Sequence, residues 1–383
     1  PYLAHATMEP LNCTVHVQKD SCDVWTGTQV ITRAQKTAAD VTGLPLEKVR
    51  VHNNFLGGGF GRRLEVDYVT QAVQFAKQVD GPVKIVWTRE EDIQHDIVRP
   101  YYHNRITAGV DAHGMPVSWN HRITGSSIEL RWIPEAVKGG LDTDAVEEAG
   151  GPPYDIPNVF IDYVRQEHPG ITTGWWRGVG PTHNVLVVES FIDELAHAAD
   201  QDPVAYRRRL LSKTPRAQGV LDLATSKAGW SGSKLGPGRG RGVSVCHAMG
   251  SYLCQVADVT VAKDGTVRVD RVVCAIDCGQ TVNPDTIKAQ MQGGIIFGIT
   301  EILFGEVTLR NGRIEQHNFD NYRMLRINEA PKIEVYIVPS TEDPGGIGEP
   351  GTVALAPAVT NAVFAATGKR IRKPPLKPEL LKT

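Results

Sequence analysis

Three glycine-rich segments hold the side chains best suited to chemistry in this chain. The first is Gly57-Gly58-Gly59-Phe60-Gly61-Arg62-Arg63. Consecutive glycines let the backbone approach a ligand closely and turn its amides inward as an anion-binding nest. No Gly-Lys-Ser/Thr follows, so this is not a phosphate-binding P-loop, and the plainer alternative is a tight strand-to-helix turn. The second is Trp175-Trp176-Arg177-Gly178-Val179-Gly180. Its arginine suits a held anion or oxo group through charge and fixed donors, or else packs on tryptophan at the surface. The third, Gly345-Gly346-Ile347-Gly348-Glu349-Pro350-Gly351, places a glutamate among apolar and glycine neighbours just ahead of the last helix. There the helix dipole would keep Glu349 ionised and ready as a base. The alternative is a capping carboxylate in a glycine-rich turn.

The elements that must position these segments alternate in type. Residues 12–17, 22–25, 47–52 and 83–87 read as strands, the last one buried. Residues 31–41 and 65–79 read as helices, the second with Val66, Val69, Val73, Ala76 and Val79 on one face and Gly81 just beyond it. A hairpin spans 105–111 and 115–124. Glycine and proline then break any period from Gly139 to Pro181, and loops of that length tend to be functional. Val185, Val188, Ile192, Leu195 and Ala199 mark a helix, and Asp202-Pro203 starts another with a good cap. A second hairpin is expected across Lys263-Asp264-Gly265, then helices at 285–304 and 354–367, the last closed by Gly368. The fold class is mixed α+β. Two domains are expected, 1–230 and 243–383, joined by the Gly/Lys/Arg-rich linker 231–242, with the site between them.

The 383 residues suffice for two or three domains with a buried core, and no internal repeat is present. With 41 basic against 43 acidic residues, a nucleic-acid partner is disfavoured. No apolar run of about 18 residues is present. Cys13, Cys22, Cys246, Cys254, Cys274 and Cys278 show no zinc, haem or iron–sulfur spacing and read as small buried residues. The chain opens on Pro1 with no leader-like stretch, so it reads as a fragment, a processed product or a piece of a longer polypeptide.

The order and spacing of the three segments resemble the molybdenum hydroxylase large subunits, the xanthine oxidase family. Gly57–Arg63 is similar to that family's GGGFGxK loop, Trp176–Gly180 to its FRGFG segment, and Gly348-Glu349-Pro350 to its GEP motif. Asp277-Cys278-Gly279 through Asn283-Pro284, with Gln290 beyond, resemble DxGxxxNP and its following glutamine; Thr28-Gln29 resembles the upstream TQ pair. Tyr154 sits at the family's distance ahead of Arg177. The opening residues 1–10 and Gly368-Lys369-Arg370 look closest to the isoquinoline oxidoreductase and bacterial aldehyde dehydrogenase branch.

The resemblance implies a molybdenum–pterin cofactor, in its molybdopterin cytosine dinucleotide form, with no protein side chain on the metal. Gly58, Gly59, Phe60 and Gly61, with Gln29, would hydrogen-bond around its oxo and dithiolene groups. Arg177 and Gly178 would fix it from the opposite side, Gln290 would hold the pterin, and Gly348 would belong to the same cofactor-binding set. Glu349 would be the general base, taking a proton from a hydroxyl group whose acidity the metal has raised. Electrons would leave to iron–sulfur clusters on a small [2Fe-2S] subunit, with a cytochrome c among the acceptors the branch allows. A periplasmic location is implied, with a cytoplasmic one left open. Where purine-hydroxylating members carry a glutamate, an arginine and a stacking phenylalanine, this chain has Leu64, Ala145 and Val179. That implies a pocket for an aldehyde or an apolar N-heterocycle. The family's MGQG segment is missing from the sequence, so a further half, on the same or a separate chain, is expected to supply it. The rival reading is an incomplete or non-catalytic accessory chain that does not hold the metal alone.

Overall fold

Alternating apolar residues pair β1 (Asn12–Val17) with β2 (Cys22–Thr26), antiparallel, with Val15 opposite Val24. The computed structural model describes residues 1–150, 153–231 and 235–382. Helix α1 (Ile31–Thr42) buries Ala34, Ala38 and Ala39 and ends on a left-handed Gly43. Next come β3 (Val49–Asn53), parallel to β2, then α2 (Asp67–Ala76), then β4 (Val83–Val86), giving sheet order β3-β2-β1-β4. Both helices close over this sheet in one apolar cluster that includes Val15, Val24, Val69 and Val73. β4 departs from the buried strand expected at 83–87. It lies at the sheet edge, with alternate residues exposed.

After α3 (Arg89–Gln94), whose first turn is capped by the Thr88 hydroxyl, β5 (Tyr102–Val110) and β6 (Pro116–Gly125) form the expected hairpin. Two single-turn helices follow, α4 (Glu129–Trp132) and α5 (Thr143–Val146). Strand β7 (Val159–Arg165), inside the stretch expected to be irregular, pairs in parallel with β6. As an edge strand it shows no apolar alternation to read. Helix α6 (Val179–Ala198) leads into α7 (Pro203–Leu210), where Asp202 accepts from the amides of Val204 and Ala205, and then α8 (Pro215–Ala228).

The second half is built on a sheet ordered β13-β10-β9-β8. Its strands β8 (Arg239–Ala248), β9 (Ser251–Val261) and β10 (Val267–Asp277) run antiparallel. Helix α9 (Pro284–Phe304), capped by Asn283, and the small hairpin β11 (Leu309–Arg310) and β12 (Arg313–Ile314) precede β13 (Lys332–Ile337), which joins β10 in parallel. The chain ends with α10 (Pro350–Val353), α11 (Leu355–Thr367) and α12 (Pro378–Leu381). Both sheet faces are covered. Leu253 and Ala257 of β9 lie in the cluster with α9 and α11, whereas Cys254 and Val256 lie in the cluster with α6 and α8. Packing therefore runs across the expected boundary at 231–242. All six cysteines are free and buried, and among the described residues no helix is long and apolar enough to cross a membrane.

The expected linker 231–242 is corrected at its end. Residues 232–234 lie outside the described residues, but from Arg239 the chain is already β8. A Cβ on Gly240 would stand 2.0 Å from the Ala362 carbonyl oxygen, and one on Gly242 would stand 2.2 Å from that of Ala358. These glycines let α11 lie directly on the strand; they are not there for flexibility. A Gly242→Ala protein is thus expected to lose about 1–3 kcal/mol of stability from overpacking. Denaturant unfolding would check this, and an unchanged midpoint would overturn it.

Candidate functional site

The glycine loop is shaped by buried charge behind it. Fully buried Arg63 donates from Nε to the Gly58 carbonyl (2.9 Å) and from Nη2 to the Glu9 carboxylate (3.0 Å), which also accepts the Gly57 amide (2.7 Å). Arg62 turns the other way, between Asp67 and Asp96. The two arginines of the motif brace the turn and do not face a ligand. Close approach is essential at Gly61, where a Cβ would lie 1.9 Å from the Trp175 carbonyl oxygen; that oxygen accepts from His5 Nε2 at 2.7 Å. The loop's left-handed residues include Gly58 and Phe60. The amides of Gly58, Gly59 and Phe60 make no hydrogen bond among the described residues. The Gly61 amide, expected among the open donors, is instead taken by the Gln29 side chain at 3.3 Å. Gln29 thus lines the loop: a Cβ on Gly59 would sit 2.5 Å from its Oε1.

Phe60 stacks on Phe297 of α9 (4.6 Å between centroids), and Trp176 stacks on the same ring (4.7 Å). This stack ties the first segment to the second. Arg177 lies 5.9 Å from the Phe60 ring and not on a tryptophan. It donates from Nε to the Gly348 carbonyl (2.8 Å) and from Nη2 to Gln290 Oε1 (3.2 Å). All three expected segments and Gln290 therefore meet at one guanidinium. It is bonded only to neutral oxygens, which leaves its charge available to an anion.

Glu349 precedes the single turn α10 but does not cap it. Its Oε2 accepts the Gly178 amide at 3.0 Å, across from the amino end of α6. Its carboxyl is raised above the ordinary glutamate range. Burial is the main cause, and the Gly178 amide and Arg177 only partly offset it. Two further carboxylates act on the same region, and neither was expected. Asp144 is pushed up to about 6, first by burial and then by charges that include Glu349, against a bond from the Trp175 indole (2.6 Å). Glu147 is pushed up to about 7 by burial, then by Glu148, Asp144 and Glu349. Both follow from how 144–147 seats on α6: a Cβ on Gly180 would lie 1.7 Å from the Asp144 carbonyl oxygen.

Of the three expected pocket positions, the structure brings Val179 to a small cleft that Tyr102, Asp144, Trp176 and His183 also line, with room for about one water. Val179 itself adopts a strained left-handed φ of 47°. Leu64 and Ala145 do not line this cleft. Leu64 ends the turn after the glycine loop, and Ala145 is buried with its carbonyl taken by His183 and Asn184. Tyr154 is likewise away from the site, hydrogen-bonded to buried Glu189.

The residues present fit a pterin-held oxo-metal group: three adjacent open amides, a guanidinium without a carboxylate partner, and the amides of Gln29 and Gln290. The comparisons with known proteins bear on the same group. Two profiles described as molybdopterin cofactor-binding domain match residues 1–211 and 211–331. The chain is 30% identical over 381 residues to the isoquinoline 1-oxidoreductase subunit beta of Brevundimonas diminuta, covering 98% of this chain and 49% of that protein. It is 30% identical over 400 residues to the membrane-bound aldehyde dehydrogenase [pyrroloquinoline-quinone] of Gluconacetobacter polyoxogenes, covering 98% and 52%. The chain thus spans about half the length of these relatives. Quinoline 2-oxidoreductase from Pseudomonas putida 86 superposes with a TM-score of 0.87 at 14% identity, over 99% of this chain and 74% of the other, which shows the shared fold. With its three glycine-rich segments converging on one guanidinium and a family match across most of its length, this chain belongs to the molybdopterin cofactor-binding domain family.

Proposed function

We propose that this chain is the base-bearing part of a molybdenum-dependent oxidoreductase that oxidises an aldehyde or an N-heterocycle with oxygen from water. The observation that carries this reading is the Glu349 carboxylate, held by the Gly178 amide beside Arg177. When bound, the molybdenum–pterin group supplies a two-electron acceptor and an acidified, water-derived nucleophile. The open amides of Gly58, Gly59 and Phe60, with Gln29, Arg177 and Gln290, would hold it. The Gly178 amide fixes Glu349 Oε2 and leaves Oε1 to accept the proton. Desolvation, by raising the carboxyl, makes it a stronger proton acceptor. The family match supports the pterin over the quinone in one relative's name. Molybdopterin cytosine dinucleotide, a [2Fe-2S] partner subunit, an MGQG-bearing half, a cytochrome c acceptor and a periplasmic location belong to the same proposal, on the resemblance to the isoquinoline branch.

Three outcomes are expected. Gln29, Gln290 and Gly348 are exposed, which leaves one wall of the site open. The isolated chain should therefore retain far less than one molybdenum per protein by elemental analysis; a stoichiometric content would contradict the need for a further half. In the assembled enzyme, Leu64, Ala145 and Val179 would offer the carbonyl oxygens of a purinedione no hydrogen-bonding side chain. Each unpaired polar group costs about 1–3 kcal/mol, so kcat/KM for xanthine should fall well below that for an aromatic aldehyde or bicyclic N-heterocycle. Comparable values would sink the substrate class.

The third concerns the base. Glu349→Gln should keep its metal and slow anaerobic reduction by substrate by about 10²–10⁴-fold. Glu349→Asp should recover little, because its carboxylate is withdrawn. A base acts deprotonated, and burial raises this carboxyl, so the wild-type rate should fall on the acid side at a pH above the ordinary glutamate range. Full metal content with near-normal reduction in Glu349→Gln would remove the catalytic assignment.

A further inference from the structure

The interior of β9 carries a polar residue where its pattern calls for an apolar one. Leu253 and Ala257 point into the cluster beneath α9 and α11, and Gln255, between them on the same face, is fully buried. Burying an amide is unfavourable unless its groups are bonded. Gln255 Nε2 donates to the Gly351 carbonyl at 2.9 Å. Its Oε1 has no hydrogen-bond partner among the described residues. An apolar side chain of the same size would fill the space without an under-satisfied carbonyl, so stability does not account for the amide.

Its partner's position does. Gly351 lies two residues after Glu349. Four residues before Gln255 on the same strand, Ser251 donates to the Gly346 carbonyl at 2.7 Å, three residues before Glu349. The Gly346 amide adds a bond to the Met249 carbonyl (2.7 Å). On the far side, Thr352 Oγ1 donates to the Gly294 carbonyl of α9 (3.1 Å), and a Cβ on Gly351 would be 3.0 Å from the Met291 carbonyl oxygen. The glutamate loop is thus gripped on both flanks by one strand, while the carboxylate itself has a single hydrogen bond, from Gly178.

We propose that Gln255, assisted by Ser251, is a positioning residue for Glu349, holding the loop at the height where the carboxylate meets the Gly178 amide. This rests on reading Glu349 as the base. Displacement of a reacting group by about 1 Å can cost on the order of 100-fold in rate, so a lost grip should act on turnover more than on substrate binding.

The test uses the assembled molybdenum enzyme with Gln255→Met, which keeps side-chain length and removes the donor, alone and combined with Glu349→Gln. Amide hydrogen exchange of the segment 176–180 reads the Gly178 bond independently of activity. The expected result is faster exchange there, kcat lowered about 10-fold to 100-fold and KM little changed. A positioning residue acts through Glu349, so no further loss should appear in the Glu349→Gln background. Unchanged exchange at 176–180, or the same fold loss in both backgrounds, overturns the proposal. If Glu349→Gln alone reduces normally, the base reading fails, while the exchange result still decides whether Gln255 holds the loop. If Gln255→Met does not assemble, Ser251→Ala should show a smaller change of the same sign, and wild-type exchange and kcat in that variant would overturn the proposal.

Discussion

One buried carboxylate organises the junction on which the site depends. Glu189, fully buried in α6, accepts from Tyr154, from Arg207 Nε at 3.0 Å and from the Val245 amide of β8 at 2.9 Å. Its own carbonyl accepts from Arg207 Nη2 and from Asn361 of α11. Removing one partner of such a group typically costs about 3–5 kcal/mol because the other charge is left uncompensated. The network therefore fixes α6 against α7, β8 and α11. Eleven residues upstream on the same chain is Gly178, whose amide receives Glu349. A helix rises about 1.5 Å per residue, so an anchor at Glu189 also places the amino end of α6 and the segment that opens it.

The charged residues of the motifs divide into two kinds. Arg62 and Arg63 are buried and ion-paired, and they shape the glycine loop from behind. Arg177 is bonded only to carbonyl and amide oxygens, with Glu349 near enough to feel its charge but no carboxylate in an ion pair with it among the described residues. Buried pairs hold geometry, whereas a cation outside an ion pair among open amides is prepared for a negative group. The aromatic stack of Phe60, Phe297 and Trp176 keeps these parts in register without adding polar groups that would need partners.

Carboxylates near the base have a thermodynamic cost. Asp144 and Glu147 titrate at about 6 and about 7 when folded, above their unfolded values. The folded state binds more protons through that window, so stability falls as pH rises from the ordinary carboxylate range to about 7. Desolvation raises Glu349 in the same direction. Sites that tune a base toward neutrality accept this instability locally and rely on rigid surroundings, here the doubly buried sheet and α6.

What the sequence determined by itself is what local patterns encode. The helices at 31–42, 179–198 and 284–304, the hairpins β5–β6 and β9–β10, and the Asp202 cap follow from periodicity, turn residues and capping chemistry. Glycine-rich segments with three arginines and one glutamate among them also stand out, because such residues serve no ordinary core or solvated face. The tertiary structure decided whatever depends on a neighbour distant in sequence. Gly240 and Gly242 look like a flexible linker until α11 lies against them. Leu64 and Ala145 turn out to lie off the cleft, and Asp144, Glu147 and Gln255 acquire roles only through α6 and the glutamate loop. For Glu349 the sequence shows the helix start beside it, whereas the burial that raises its carboxyl is contributed by other segments of the fold.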